Sequence, residues 1–342
     1  MGIRDKVVKN KVSSKLSDMK ITIAGRPKVG KTSLFYEILN REGGLDSGLL
    51  MAFEKGYSFL PDINVVDITS WSEFVEYVDE LVFDADGYKY LALDTVDIAG
   101  KLCVEYVLKK ASSKDGKRYE TLADMGFGKA YDLLETEFSK QVGRLEQAGF
   151  GLFFITHDKD KQIEEKSGLK YDKTFVSVSG RVGDYIKNSS DFIVFIDIEK
   201  EREKSGKETK VSESRKIRFR GDGTTEAGGR IVNVPEVIDY DIDGFLETIY
   251  NSVKQQTELL SGGTTEESKP KAKAEKAPAK KEKPKKTESI DEIKKSIGEH
   301  LAKLDTEDKK GWAKRFNSEL GDMNYTKSDD LDKLKELLTE MQ

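Results

Sequence analysis

The sequence predicts an α/β fold, a mostly parallel sheet flanked by helices, followed by a small all-helical module. Short continuous apolar runs alternate with amphipathic stretches, the pattern of strands buried on both faces and joined by crossover helices. A glycine-rich motif stands between the first such run and the first helix. The stretch from Thr257 to Thr287 holds three of the six prolines and no aromatic. Its Lys, Ala, Glu and Pro cannot bury enough apolar surface to offset the entropy of ordering, so it reads as a solvated linker dividing the 342-residue chain.

The elements follow in order. The first eighteen residues, MGIRDKVVKNKVSSKLSD, read as a charged tail. Strands are expected at Met19 to Ala24, Leu49 to Phe53, Tyr90 to Leu93, Gly151 to Thr156 and Phe192 to Ile198. Ser70 and Glu73 form a capping box ahead of Phe74, Tyr77, Val78 and Leu81, and a helix is expected from Val96 to Val107. Tyr131, Leu134, Phe138, Val142 and Leu145 recur at helical spacing. From Ile198 to Arg220 charged residues surround a Lys/Glu-rich turn, as in an antiparallel hairpin at a sheet edge. The domain limits are therefore 1–18 for the tail, 19–256 for the α/β domain, 257–287 for the linker and 288–342 for the module. Within the module, Ile290, Ile293, Ile297 and Leu301, then Trp312, Phe316 and Leu320, then Leu331, Leu334, Leu337 and Leu338 mark three helices near the lower size limit for independent folding.

Composition excludes several classes. Lys and Arg number 58 against 63 Asp and Glu, a net charge of −5, so any basic patch is local. A single cysteine, Cys103, forbids an internal disulfide, and with only His157 and His300 a Cys/His zinc site is excluded. This usage fits a reducing cytoplasm. No apolar run approaches the roughly 18 residues of a membrane span, and the N-terminus carries charges where a signal peptide needs an apolar core. Lys6 stands where a myristoylation signal wants Ser or Thr.

The strongest chemical signal is GRPKVGKTS: Gly25, Arg26, Pro27, Lys28, Val29, Gly30, Lys31, Thr32 and Ser33. It satisfies the phosphate-loop (P-loop) pattern after a predicted strand and at the start of a helix. Its glycines let backbone amides and the helix N-terminus face an anion. Lys31 supplies charge to the β- and γ-phosphates, and Thr32 a hydroxyl to magnesium. Asp94, ending YLALD, is the expected second magnesium ligand, and it also suits a helix cap. Glu54 is expected to orient and deprotonate the attacking water from a strand next to that of the P-loop. His157, at the carboxyl end of GLFFIT, is placed to sense the γ-phosphate.

Two long segments follow these strands. Lys109 to Ala130 mixes Lys114, Lys117 and Arg118 with Tyr119 and Phe127. Asp158 to Gly180 holds Lys159, Lys161, Lys170, Tyr171, Lys173 and Phe175. Basic groups interleaved with aromatics can follow a phosphate backbone and stack bases of single-stranded nucleic acid, although Glu164, Glu165 and Asp172 offset the charge. In SRKIRFRGDGTTEAGGR, the cluster Arg215, Lys216, Arg218, Arg220 and Arg230 either forms an ordinary charged edge or reaches a neighbour's nucleotide, with Arg220 or Arg230 acting across the interface.

This order of motifs resembles the RecA-like ATPase core. More narrowly, AGRPKVGKTS, FEKG, LALDTV, FFITHDK and FRGDGTTEAGGRI resemble phage-encoded single-domain RecA-core ATPases, some of which act in single-strand annealing, and the similarity spans Met19 to Gln255. The resemblance implies an ATP- and Mg2+-dependent ATPase, homo-oligomeric with nucleotide at a subunit boundary, whose two long segments occupy the positions of DNA-binding loops. RecA carries glutamine at the sensor position, where this chain has His157, and the chain is expected to lack a polymerisation arm before its first strand. The expected function is DNA-stimulated ATP hydrolysis coupled to single-stranded DNA binding, annealing or recombination in phage DNA metabolism. A helicase or packaging-type motor is the alternative within the same core. The other is a nucleotide-switched adaptor whose helical module recruits a single-strand-binding protein or polymerase.

Overall fold

The computed structural model describes residues 7, 9–10, 12–126, 128–178, 180–205, 208–231, 233–261, 290–301, 306–320, 324–328 and 330–341. Two compact units divide them, the first within Met1–Val78 and Gly87–Thr265, the second within Asp79–Asp86 and Glu266–Gln342.

The first unit is built on a nine-stranded sheet. Strands β1 (Lys20–Gly25), β2 (Gly48–Ala52), β3 (Val65–Asp67), β4 (Tyr90–Asp94) and β5 (Gly151–Thr156) alternate with α1 (Lys31–Glu42), α2 (Trp71–Phe83), α3 (Val96–Asp115) and α4 (Lys129–Ala148). A two-stranded sheet of β6 (Asp158–Glu164) and β7 (Lys170–Val176) follows, then α5 (Gly180–Ser189). The main sheet resumes with β8 (Phe192–Ser205), β9 (Glu208–Arg218), β10 (Gly228–Gly229) and β11 (Val237–Asp239), and α6 (Ile242–Ser261) closes the unit. Strand order is β11-β9-β8-β1-β5-β4-β2-β3, with β10 beside β8. From β3 to β8 every pairing is parallel, so these carboxyl ends share one edge, where ligands of open α/β sheets bind.

The central strands are buried on both faces, which is why they read as unbroken apolar runs. Phe35 of α1 packs against Phe153 of β5, joining helix to strand, and Trp71 of α2 stacks on Phe138 of α4, joining two helices. Each such side chain contributes about 1.5–3 kcal/mol relative to leaving it exposed. The capping box of α2 is present, with the Ser70 amide donating to Glu73 and the Glu73 amide to Ser70 Oγ. Thr69 adds its amide and hydroxyl, and these bonds hold the exposed Glu73 carboxyl below its usual range.

Several boundaries differ from expectation. Leu16, placed in the charged tail, is fully buried in a short turn of Leu16–Asp18 that packs on β5. The first third of the segment expected as a loop from Lys109 to Ala130 is helical, because α3 continues through the polar KKASSKD to a left-handed Gly116. Asp158 to Gly180 forms the β6–β7 hairpin rather than an open loop. The β8–β9 hairpin is antiparallel, with register from Phe195↔Arg218 to Ser205↔Glu208, and it is an edge hairpin except at Lys216, Ile217 and Arg218, where β9 also pairs with β11. Thr257–Ser261, placed in the linker, finishes α6; the rest of the linker and Phe127 lie outside the described residues.

The second unit contains α7 (Ile290–Leu301), α8 (Thr306–Leu320) and α9 (Leu331–Met341). Ile293, Ile297, Leu301, Phe316, Leu334 and Leu337 are buried in one cluster, with Trp312, Leu320 and Leu338 against it. These residues belong to the stripes that the helical spacing marked.

Candidate active site

The P-loop connects β1 to α1. At Gly25 the reason for glycine is packing: a Cβ would lie 2.7 Å from the Ile196 carbonyl of neighbouring β8. Gly30 is left-handed at φ 108°, and its Cβ would meet Arg215 and Tyr240. Lys28 is also left-handed at φ 66°, a conformation found in the backbone nests that bind anions. Arg26, Pro27 and Lys28 are exposed, whereas Val29 is buried beneath them. Ser33 lies within the first turn of α1.

Lys31 is only 6% exposed and donates to the carbonyls of Gly25 at 2.8 Å and Arg26 at 3.0 Å. Burial lowers its pKa; Asp94, Asp158 and Glu54 pull the other way. Thr32 Oγ1 donates to Asp94 Oδ2 at 2.6 Å. Asp94 is 3% exposed, and burial lifts its carboxyl to about 6, against the Thr32 hydrogen bond and nearby Lys31. A hydroxyl and a carboxylate in contact are hard oxygen donors of the kind magnesium takes, and Gly56 faces both without a side chain. Among the described residues no cluster of three or more His, Cys, Asp or Glu side chains forms an all-protein cage. Thr32 and Asp94 therefore fit a magnesium ion that draws its other ligands from phosphate and water.

Glu54 reaches this centre by a different route from the one expected. Its strand β2 does not adjoin β1, because β4 and β5 lie between them. Glu54 arrives because the amides of Phe53 and Glu54 both donate to the Asp94 carbonyl. Its Oε1 stands 3.4 Å from His157 Nε2, and His157 Nδ1 stands 3.4 Å from Lys31 Nζ. An ammonium only donates, so in the Lys31 contact Nδ1 is placed as acceptor, with Nε2 facing Glu54. Lys31, His157 and Glu54 thus form a continuous polar line beside the Thr32–Asp94 pair.

One residue absent from the sequence reading organises the far side. Asp97, in the first turn of α3, accepts from the Thr156 hydroxyl at 2.9 Å, the His157 amide at 3.1 Å and the Ser177 hydroxyl. Ser177 also donates its amide to the His157 carbonyl and accepts Lys159 Nζ at its own carbonyl. The root of the β6–β7 hairpin is therefore pinned to the strand end that carries His157. The only sequence signal was an acidic residue in a helix first turn, which usually means favourable interaction with the helix dipole.

The hairpin has two faces. Alternation and register put Lys159, Lys161, Ile163, Tyr171, Lys173 and Phe175 on one side. Lys161 and Lys173 lie 5.9 and 5.5 Å from the Phe175 ring centroid. Asp158, Asp160, Glu164 and Asp172 occupy the other side, where Asp160 lies 3.7 Å from Arg26. Lys170, grouped with the basic set, falls on this acidic side and pairs with Glu164 at 3.2 Å. Of the other segment, Lys114 is in the last turn of α3. Lys117, Arg118 and Tyr119 follow Gly116; Arg118 pairs with Glu120, and the Tyr119 hydroxyl donates to Asp115.

The distal arginines separate by position. Arg230 pairs with Asp191 at 3.1 Å, and the Arg220 amide donates to the Glu236 carbonyl, both near the start of β8, the end of the sheet away from the P-loop of the same chain. Arg215 lies at the P-loop end instead.

The family AAA_24, an AAA domain, matches residues 17–231. A KaiC-like protein from the hyperthermophilic archaeon Pyrococcus horikoshii OT3 is similar in structure at 14% identity and a TM-score of 0.35, over 66% of this chain and 90% of that one. The chain matches no curated protein. No helix among the described residues is long and apolar enough to cross a membrane.

Proposed function

The chain belongs to the AAA domain family, and from that premise we propose that it is a Mg-ATP-dependent ATPase that binds single-stranded DNA and promotes annealing or recombination, in keeping with its resemblance to phage RecA-core proteins. The observation that carries the reading is continuity: β6 begins one residue after His157, so the hairpin with its basic and aromatic face grows directly out of the phosphate centre.

The P-loop amides and Lys31 hold the phosphates. Thr32 and Asp94 hold the magnesium ion, which when bound neutralises charge on the transferring phosphoryl group. Glu54 orients the attacking water and takes its proton. His157, between Lys31 and Glu54, registers whether the γ-phosphate is present. Its backbone is tied through Asp97 and Ser177 to the hairpin root, so a shift at His157 reaches the Lys161–Phe175–Lys173 face. That face suits a single strand, with cations on phosphates and rings beneath bases.

Fluorescence anisotropy with a labelled single-stranded oligonucleotide tests the DNA half. The double substitution Lys161→Glu with Lys173→Glu is expected to abolish binding at moderate salt while ATP affinity stays unchanged. Undiminished DNA binding by that variant would remove the hairpin from the proposal.

A further inference from the structure

Arg215 and Tyr240 form a contact with the P-loop that the proposed roles leave unused. The Tyr240 hydroxyl donates to the Gly30 carbonyl at 2.9 Å, and its amide donates to the Arg215 carbonyl. The Arg215 guanidinium lies over the Tyr240 ring, 4.4 Å from its centroid. A Cβ on Gly30 would sit 2.9 Å from Arg215 Nη1 and 3.0 Å from the Tyr240 hydroxyl. The guanidinium is thus held at the glycine immediately before Lys31.

Its neighbours on the same sheet are neutralised. Lys216 pairs with Asp239, Arg218 with Asp197 and Glu236, and Arg230 with Asp191. Arg215 has no carboxylate partner among the described residues, and its side chain is exposed. A guanidinium stacked by its face keeps its edge N–H groups available, and that planar fork matches phosphate oxygens. An exposed, uncompensated guanidinium fixed against an anion-binding loop is arranged for an anion.

We infer that Arg215 contacts, within its own chain, the phosphate chain of the nucleotide held by the P-loop, and that Tyr240 is the platform that positions it. The role expected of Arg220 or Arg230 across a subunit boundary is a separate matter, since those residues lie towards the start of β8, away from the P-loop end of β1. This inference rests on the proposed nucleotide binding.

The test is the affinity of the full chain for a fluorescent ATP analogue, with inorganic triphosphate as competitor. Arg215→Ala should weaken both ligands by the same factor, about tenfold or more, with the thermal midpoint retained. Arg215→Lys should recover part of that loss, because lysine keeps the charge but not the fork. Tyr240→Phe keeps the ring and should cost less than Arg215→Ala. Mixing Arg215→Ala with Lys31→Ala subunits should restore no hydrolysis, because the arginine serves its own P-loop. Wild-type affinity in Arg215→Ala, loss confined to the nucleoside ligand, or activity restored by mixing would each overturn the inference. A wild type that binds no ATP would reject the nucleotide reading beneath it.

Discussion

The phosphate centre and the β6–β7 hairpin are both crowded with charge, yet they hold it in opposite ways. At the centre Lys31 and Asp94 are almost entirely buried, and each is fixed by hydrogen bonds to a named neighbour. The hairpin stands in solvent and sorts its charges by strand alternation, lysines with aromatics on one face and carboxylates on the other. Burial makes each charge in the first region costly to leave unpaired, so single changes there are severe and weakly dependent on salt. Exposure makes the second region additive and strongly screened by salt. Asp97 is the joint between them.

Substitutions can break or sharpen that contrast. Lys31→Ala should lower ATP affinity by about two orders of magnitude, as loss of a buried charge partner does, with the thermal midpoint nearly unchanged. Titration calorimetry reads this, and undiminished affinity in a folded variant would remove Lys31 from the site. Asp97→Ala leaves the Thr156 hydroxyl and His157 amide without their acceptor and should cost roughly 2–3 kcal/mol in urea unfolding. It should also lower DNA stimulation of hydrolysis more than basal hydrolysis, and equal loss of both would deny the joint its role.

On the hairpin, Lys161→Ala with Lys173→Ala should weaken DNA binding several-fold and flatten the log–log salt dependence by about 1.4, since each lysine removed contributes about 0.7 on a single strand. A flat response would show that these lysines do not touch phosphate. The smallest effect concerns pH. Burial raises the Tyr240 hydroxyl to about 12, so its contribution to stability is complete below the unfolded value of about 10 and is lost as pH rises towards 12. Tyr240→Phe should therefore lose stability less steeply than wild type between those limits in alkaline denaturation.

Much of the buried region was legible because its residues obey strong local rules. The P-loop, the Ser70–Glu73 capping box and the Leu134–Phe138–Val142–Leu145 stripe each announce themselves by spacing, and the structure places them accordingly. What escaped depends on pairing. Nothing local says that β4 and β5 separate Glu54 from the P-loop strand, or that Arg215 sits level with the P-loop end of β1 while Arg220, just past the carboxyl end of β9, lies towards the start of β8. The hairpin read as a loop because DKDKQIE and KYDKTFV alternate charge with charge rather than apolar with polar. Asp97 escaped because its partners, Thr156 and Ser177, are 59 and 80 residues away.

The central claim is that the phosphate centre and the hairpin act as one device. Its most direct test is steady-state ATP hydrolysis by the full chain with and without single-stranded DNA, at low and moderate salt, beside Glu54→Gln. The expected result is turnover that DNA stimulates, more strongly at low salt, and that Glu54→Gln lowers by about two to four orders of magnitude in both conditions. Turnover indifferent to DNA at every salt concentration, or undiminished in Glu54→Gln, would contradict it.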